Sequence, residues 1–346
     1  MSNMKKHMIL IIFIAFFAIM NLSYWYNVKY NKEIFSTICK DISEENLPQT
    51  AINTIRPLKG MMTILPQGRL GNQIGEYAAL FALAKMNGYR AYILPDMHQE
   101  LSSLFKLNLP LISMNSDKRI KWKEYKLNNW MCPEYRNITG DNVKLKGFVY
   151  SWTFYHDIKS ELMEEFIFHD FVKDEVNTYL AKVRGNRKNV TFVGVHVRRG
   201  DYVKLFVEQK RGVLADQKYL QKATDYFRNK YQNPVFVVAS NGMDWCKQNI
   251  NNSLGDVYFA GDGNEGSPAR DFALLAHCNH TIMTFGSFGI WTAYLSGGET
   301  MHLTNYSSPD SSYLKFVKYE AIYLPEWIAV PADLSELLKN KKIAKQ

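Results

Sequence analysis

Residues Thr191–Asp201 read TFVGVHVRRGD, and the fold turns on this stretch. Its first half, Phe192-Val193-Gly194-Val195, is apolar and β-branched, as in a strand buried on both faces of a parallel sheet. Its second half holds His196, Arg198, Arg199 and Asp201. Open α/β sheets bind ligands outside the carboxyl ends of their strands, which is where these charges fall. A guanidinium fork matches phosphate or carboxylate oxygens bidentately, so two adjacent arginines at a strand end point to an anion site. The competing reading leaves them solvated or paired with structural carboxylates.

Downstream the pattern is regular. Asp216–Tyr231 is predicted helical, with Leu220, Ala223 and Phe227 on one face. Val235–Ala239 reads as a strand ending in Ser240-Asn241-Gly242, and Met243–Asn249 as a short helix. Val257–Phe259 is a third strand, followed by a glycine-rich loop, Gly261–Gly266. A helix over Ala269–Cys278, a strand over Thr281–Thr284, a helix over Ile290–Leu295 and a strand over Met301–Leu303 follow. Strands alternating with helices define a doubly wound α/β domain.

Upstream, order begins at Met61–Leu65, a strand. Gly68–Gln73 reads as a loop, Ile74–Asn87 as a helix capped by Gly88, and Ala91–Leu94 as a strand stopped by Pro95. This β–loop–α–β unit starts a second parallel sheet. The expected architecture is therefore two Rossmann-type doubly wound domains, residues 59–188 and 189–340, facing each other across a cleft that collects these loops. Residues 98–190 carry less pattern. They hold Trp122, Trp130 and the aromatic group Tyr150–His156, whose Trp152 and His156 suit the apolar face and hydroxyls of a sugar, although most aromatics are core. Glu161–Leu180 is predicted helical.

The chain has 346 residues, 47% of them hydrophobic and 14% aromatic, as in an ordered protein of more than one core. Its net charge of +9 favours anionic partners. Without a long Lys/Arg tract, zinc-finger spacing or an RRM signature, nucleic acid is not among them. Met8–Tyr26 is a membrane candidate: Met8 to Met20 is uninterrupted apolar, and Tyr24-Trp25-Tyr26 form an aromatic end. Lys5, Lys6 and His7 precede it, so residues 1–7 are expected in the cytosol and 8–26 as an uncleaved signal-anchor. A cleaved signal peptide is the alternative, but bulky residues surround Ser23. Residues 27–58 are polar and aperiodic, as in a stem. The rest would then lie in a lumen. Of six N-x-S/T sequons, Asn137, Asn251 and Asn305 are expected to be usable; Asn21 lies in the anchor, and Asn189 and Asn279 abut strands and are expected to be shielded. Cys39, Cys132, Cys246 and Cys278 allow at most two bridges, and no CxxC pair suggests a structural zinc.

A diphosphate leaving group develops negative charge as its bond to carbon breaks, and preorganised donors such as Arg199 accelerate that step. No Asp-x-Asp pair is present to chelate Mg²⁺ or Mn²⁺, so a metal-free arginine site is the economical reading.

The runs GRLGNQIGEYAALFALAKMNG (68–88), SWTFYH (151–156), GVHVRRGDYV (194–203), FVVASNGMDWC (236–246), the long run 255–298 and LPEW (324–327) resemble the galactoside alpha-1,2-fucosyltransferases of the H/secretor type, glycosyltransferase family 11. The resemblance covers about residues 60–340. It implies a GT-B fold, GDP-fucose as donor without any cofactor, a terminal β-galactose as acceptor, inversion at the anomeric carbon, and a single-pass type II anchor in the Golgi membrane. It further implies that Arg199 contacts the β-phosphate; the strand-end positions of Arg198 and Ser240 already place them as donors beside it. His196 would lie by the guanosine, Asp271 on the guanine edge and Ser287 on the phosphate side, while Gly71-Asn72 would approach the diphosphate and acceptor. The base that takes the galactose 2-hydroxyl proton is left open among Glu76, Asp201 and His156; Asp201 is expected to pair with Arg198 instead. Alternatives are a fucosyltransferase with another acceptor and a membrane-bound glycan-binding protein without turnover. Galactose chain type and oligomeric state have no signature.

Overall fold

The computed structural model of the chain describes residues 58–260, 267–335 and 337. The expected anchor, the stem up to residue 57 and the loop 261–266 lie outside them. The first sheet contains β1 (Met61–Ile64), β2 (Arg90–Ala91), β3 (Lys123–Lys126) and β4 (Asn142–Lys146), in the order β2-β1-β4-β3. The second contains β5 (Thr191–Val197), β6 (Pro234–Ser240), β7 (Val257–Phe259), β8 (His280–Met283), β9 (Thr300–Thr304) and β10 (Ile328–Pro331), in the order β10-β9-β8-β5-β6-β7. Every neighbouring pair in both sheets is parallel, with crossover helices between, so the architecture is Rossmann-like α/β. Both sheets belong to one compact unit that begins at Leu58.

β5 is central, and Phe192 to Val197 are all buried, as the apolar run requires. The crossover helices that matter for the site are α1 (Leu70–Asn87), α2 (Asp170–Arg184), α3 (Gln217–Lys230), α4 (Met243–Asn249), α5 (Pro268–Ala276) and α6 (Ser287–Ser296). In α3, Leu220, Ala223 and Phe227 form the buried stripe. Gly88 ends α1 in the left-handed conformation, φ 73°, which a residue with a Cβ adopts at a cost.

Several elements differ from the sequence reading. α1 starts at Leu70 rather than Ile74, so Gly71 and Asn72 are helical and not loop. The strand expected over Ala91–Leu94 shortens to β2, and Pro95, which was expected to stop it, opens a helix through Leu101. The helix expected over Glu161–Leu180 is two, Lys159–Glu165 and α2; between them Phe168 bridges to Phe105. β3, β4 and β10 were not anticipated. Asn189 and Asn279 are exposed, not shielded, as are Asn137, Asn251 and Asn305. Cys132, Cys246 and Cys278 are free thiols, so no bridge joins any of them to another. Among the described residues no helix is long and apolar enough to cross a membrane.

Candidate functional site

The loops after β5, β6 and β8 are laced together by their own polar atoms. Arg198 N–H donates to Thr284 Oγ1 (3.0 Å), Arg199 N–H to Asn241 Oδ1 (2.8 Å), and the Ser240 hydroxyl to the Val197 carbonyl (2.7 Å). Gly242 N–H closes the circuit on Ser240 Oγ (2.9 Å). Ser240 therefore braces the β5 and β6 ends against each other, and buried as it is, that is its visible work.

The two arginines are held differently. Arg198 pairs with Asp201 (2.7 Å), as the sequence reading expected, and its guanidinium lies 5.1 Å from the Tyr202 ring centroid. The side chain of Arg199 donates Nη1 to the Ala215 carbonyl (3.2 Å) and stacks 3.8 Å above the Trp245 ring. Among the described residues no carboxylate pairs with Arg199. Burial draws its pKa below the ordinary arginine value, which is what a cation without a counter-charge does.

His196 is buried and stacks on Phe288 with ring centroids 4.9 Å apart. Its Nδ1 has no hydrogen-bond partner, and burial, helped by the Arg198 charge, lowers its pKa to about 3. The ring is neutral at any physiological pH and adds no charge to the site.

α1 and α6 begin head to head. Ser287 Oγ donates to Asn72 Oδ1 (2.5 Å), and a Cβ on Gly71 would lie 2.5 Å from the Phe288 nitrogen. Only a glycine permits that approach. Neither helix has an acidic residue in its first turn or a side-chain cap on its N–H groups. Two partial positive charges thus meet beside the strand ends that carry Arg198 and Arg199. An anion relieves that repulsion, and a diphosphate has the oxygens to satisfy the free N–H groups.

Asp271 is half-buried in the first turn of α5, near Tyr179. Glu76 is fully buried, on the second turn of α1 and not at its start. One carboxylate oxygen accepts from Gln67 N–H (2.9 Å), the other has no partner, and burial raises the pKa to about 8 against the pull of that hydrogen bond. A group so enclosed braces the loop before α1 through that bond. Trp152 donates its indole N–H to the carbonyls of Tyr323 (3.0 Å) and Glu320 (3.2 Å), so its polar edge fixes the C-terminal segment. His156 stands edge-on to it, with Nδ1 3.3 Å from the Tyr294 hydroxyl of α6. Sequence reasoning assigned no role to Asn241, Trp245, Thr284 or Phe288. The stretch SNGMDWC, directly after a strand, carried the signal for the first two.

No group of three or more His, Cys, Asp or Glu residues able to hold a metal occurs among the described residues. The family model "Glycosyl transferase family 11" matches residues 29–331. The chain is 56% identical over 285 residues to galactoside alpha-(1,2)-fucosyltransferase 2 of Bos taurus, covering 82% of this chain and 83% of that one. The corresponding protein of Mus musculus is 54% identical over 300 residues, covering 86% of each chain. Among solved structures, fucosyltransferase NodZ from Bradyrhizobium aligns with a TM-score of 0.45 at 12% identity, covering 68% of this chain and 92% of that one.

Proposed function

The chain belongs to glycosyl transferase family 11, and we propose that it transfers L-fucose from GDP-fucose in alpha-1,2 linkage to terminal β-galactose on glycans. It is a glycosyltransferase with GDP-fucose as its donor. The observation that carries the reading is Arg199: a stacked, half-buried cation with no carboxylate partner among the described residues, beside two uncapped helix starts.

In the reaction the galactose O2 attacks the fucose anomeric carbon as its bond to the β-phosphate oxygen breaks, with inversion. The electron pair of the breaking bond leaves with GDP. Arg199 and the N–H groups of α1 and α6 strengthen their hold as that charge grows, so they lower the barrier without a metal. Ser287 and Asn72 sit on the phosphate side, with His196 and Asp271 toward the guanosine. With Glu76 buried and Asp201 paired to Arg198, the step is driven from the leaving-group side, and the 2-hydroxyl proton passes late to solvent. The acceptor enters past Asn72 and His156, from the half we assign to residues 59–188; residues 189–340 form the donor half, with a GT-B cleft between. A signal-anchor at 8–26, a stem and glycans at Asn137, Asn251 and Asn305 fit a type II protein of the Golgi membrane.

Incubation of the enzyme with GDP-fucose and a β-galactoside tests this. Released GDP and an α1,2-linked product are expected. A product of any other linkage refutes the assignment, and absence of GDP release refutes the enzyme.

A further inference from the structure

Three of the chain's arginines have their charge held in three ways. Arg228 is neutralised by both carboxylate oxygens of Asp256 (2.8 and 2.9 Å). Arg198 is paired with Asp201 (2.7 Å). Arg199 is restrained too, yet among the described residues by uncharged groups only: Asn241 Oδ1 on its backbone N–H, the Ala215 carbonyl on Nη1, the Gly242 backbone against its stem, and the Trp245 ring under its guanidinium. A Cβ on Gly242 would fall 2.9 Å from Arg199 Cβ, so the slot is closed on that side.

Trp245 is the unexpected member. In α4, Met243 and Cys246 take the buried face, while Trp245 stays half-buried and spends its ring on Arg199. Its 3.8 Å separation is the contact distance of stacked planes, shorter than the 5.1 Å of Arg228 over Phe236 or of Arg198 over Tyr202. An indole face attracts a cation through its quadrupole, and a guanidinium stacked on it keeps its in-plane N–H donors for another partner. A carboxylate in the same place would occupy those donors and compete with phosphate.

We propose that Trp245 is a positioning residue that holds the Arg199 guanidinium in the plane required by the donor diphosphate without neutralising it. The inference rests on the phosphate role of Arg199. Its test is a set of full-length variants: Trp245→Phe keeps a ring face, and Trp245→Met keeps most of the volume without one. Trp245→Met should lower kcat/KM for GDP-fucose and weaken GDP binding about tenfold, the scale of a desolvated cation–π contact. The KM for the galactoside and the Tm should stay close to the parent, and Trp245→Phe should recover all but about threefold of the loss. In an Arg199→Lys background the same Trp245→Met change should cost less than about twofold, because the stacked plane is already gone. Equal losses in both backgrounds, or a Phe variant as poor as the Met variant, would show that the indole only packs. Should Trp245→Met not fold, the emission of Trp245, taken as parent minus Trp245→Phe, must change on adding GDP; an unchanged emission overturns the proposal. If instead Arg199→Ala keeps the parental rate, the phosphate reading itself falls.

Discussion

Replacing Glu76 by glutamine should leave the protein increasingly more stable than its parent as pH rises from 4.5 to 8, and no further beyond. The carboxyl is enclosed by α1 and the loop it braces, and burial raises its pKa from an ordinary 4.5 to about 8. In the unfolded chain the group gives up its proton near 4.5; in the fold it keeps it until about 8. The folded state binds the extra proton throughout that window, so the stability present below 4.5 is lost progressively as pH climbs to 8. Between pH 5.5 and 7.5 the loss amounts to about 2.5 kcal/mol, at ~1.4 kcal/mol for each tenfold change in proton affinity. Glutamine has nothing to titrate. Its carbonyl can still accept from Gln67 N–H, and any cost of placing an amide where the unpartnered oxygen lies applies equally at both pH values. For a fold of this size the Tm gap between variant and parent should therefore widen by roughly 5 °C from pH 5.5 to 7.5 and level off above 8. Paired thermal melts of the full-length proteins across that range read it directly. A gap that stays flat would mean that Glu76 is ionised in the fold, and would return it to the list of proton acceptors.

Arg199→Ala should lose on the order of a hundredfold in kcat/KM, the ~3 kcal/mol typical of a donor aimed at developing charge, with its Tm little changed; a rate within a few-fold of the parent contradicts the phosphate role. Gly71→Ala should cost about 1–3 kcal/mol in a melt and lower turnover, since the added Cβ meets the backbone of Ser287 and Phe288 and no side chain can move aside. Activity should persist within twofold in excess EDTA; a strong loss restored by Mg²⁺ or Mn²⁺ would place a metal in the reaction.

The second sheet was legible because its central strands are buried on both faces and carry unbroken apolar runs. β3 and β4 escaped notice for the opposite reason. β3 reads KEYK and is largely exposed, and β4 reads NVKLK with only Val143 and Leu145 buried, so lysines mask the period. The start of α1 was hidden by its glycines, which normally mark a loop. Here Gly71 answers to Phe288, more than two hundred residues away, and no local pattern reports that. The paired role of Asp201 followed from its spacing to Arg198, a local fact. The enclosure of Glu76 did not, because a carboxylate on an otherwise apolar helix looks the same whether it faces a cleft or a wall. The stacking of Trp245 on Arg199 needs two strands to be neighbours first.

The indole of Trp152 finds its acceptors at Glu320 and Tyr323, up to 171 residues later in the chain, and the nearby Ser151 hydroxyl donates to the Ala321 carbonyl. Trp152 and Ser151 lie in a short turn just past the first sheet, so during synthesis these bonds wait until the chain has been made as far as residue 323. Contacts of such separation form late in folding. The segment 320–323 consequently acts as a check on length: a chain interrupted before it leaves the Trp152 indole N–H without these acceptors, and such a product is more exposed to the cell's quality control than the loss of a short tail would suggest.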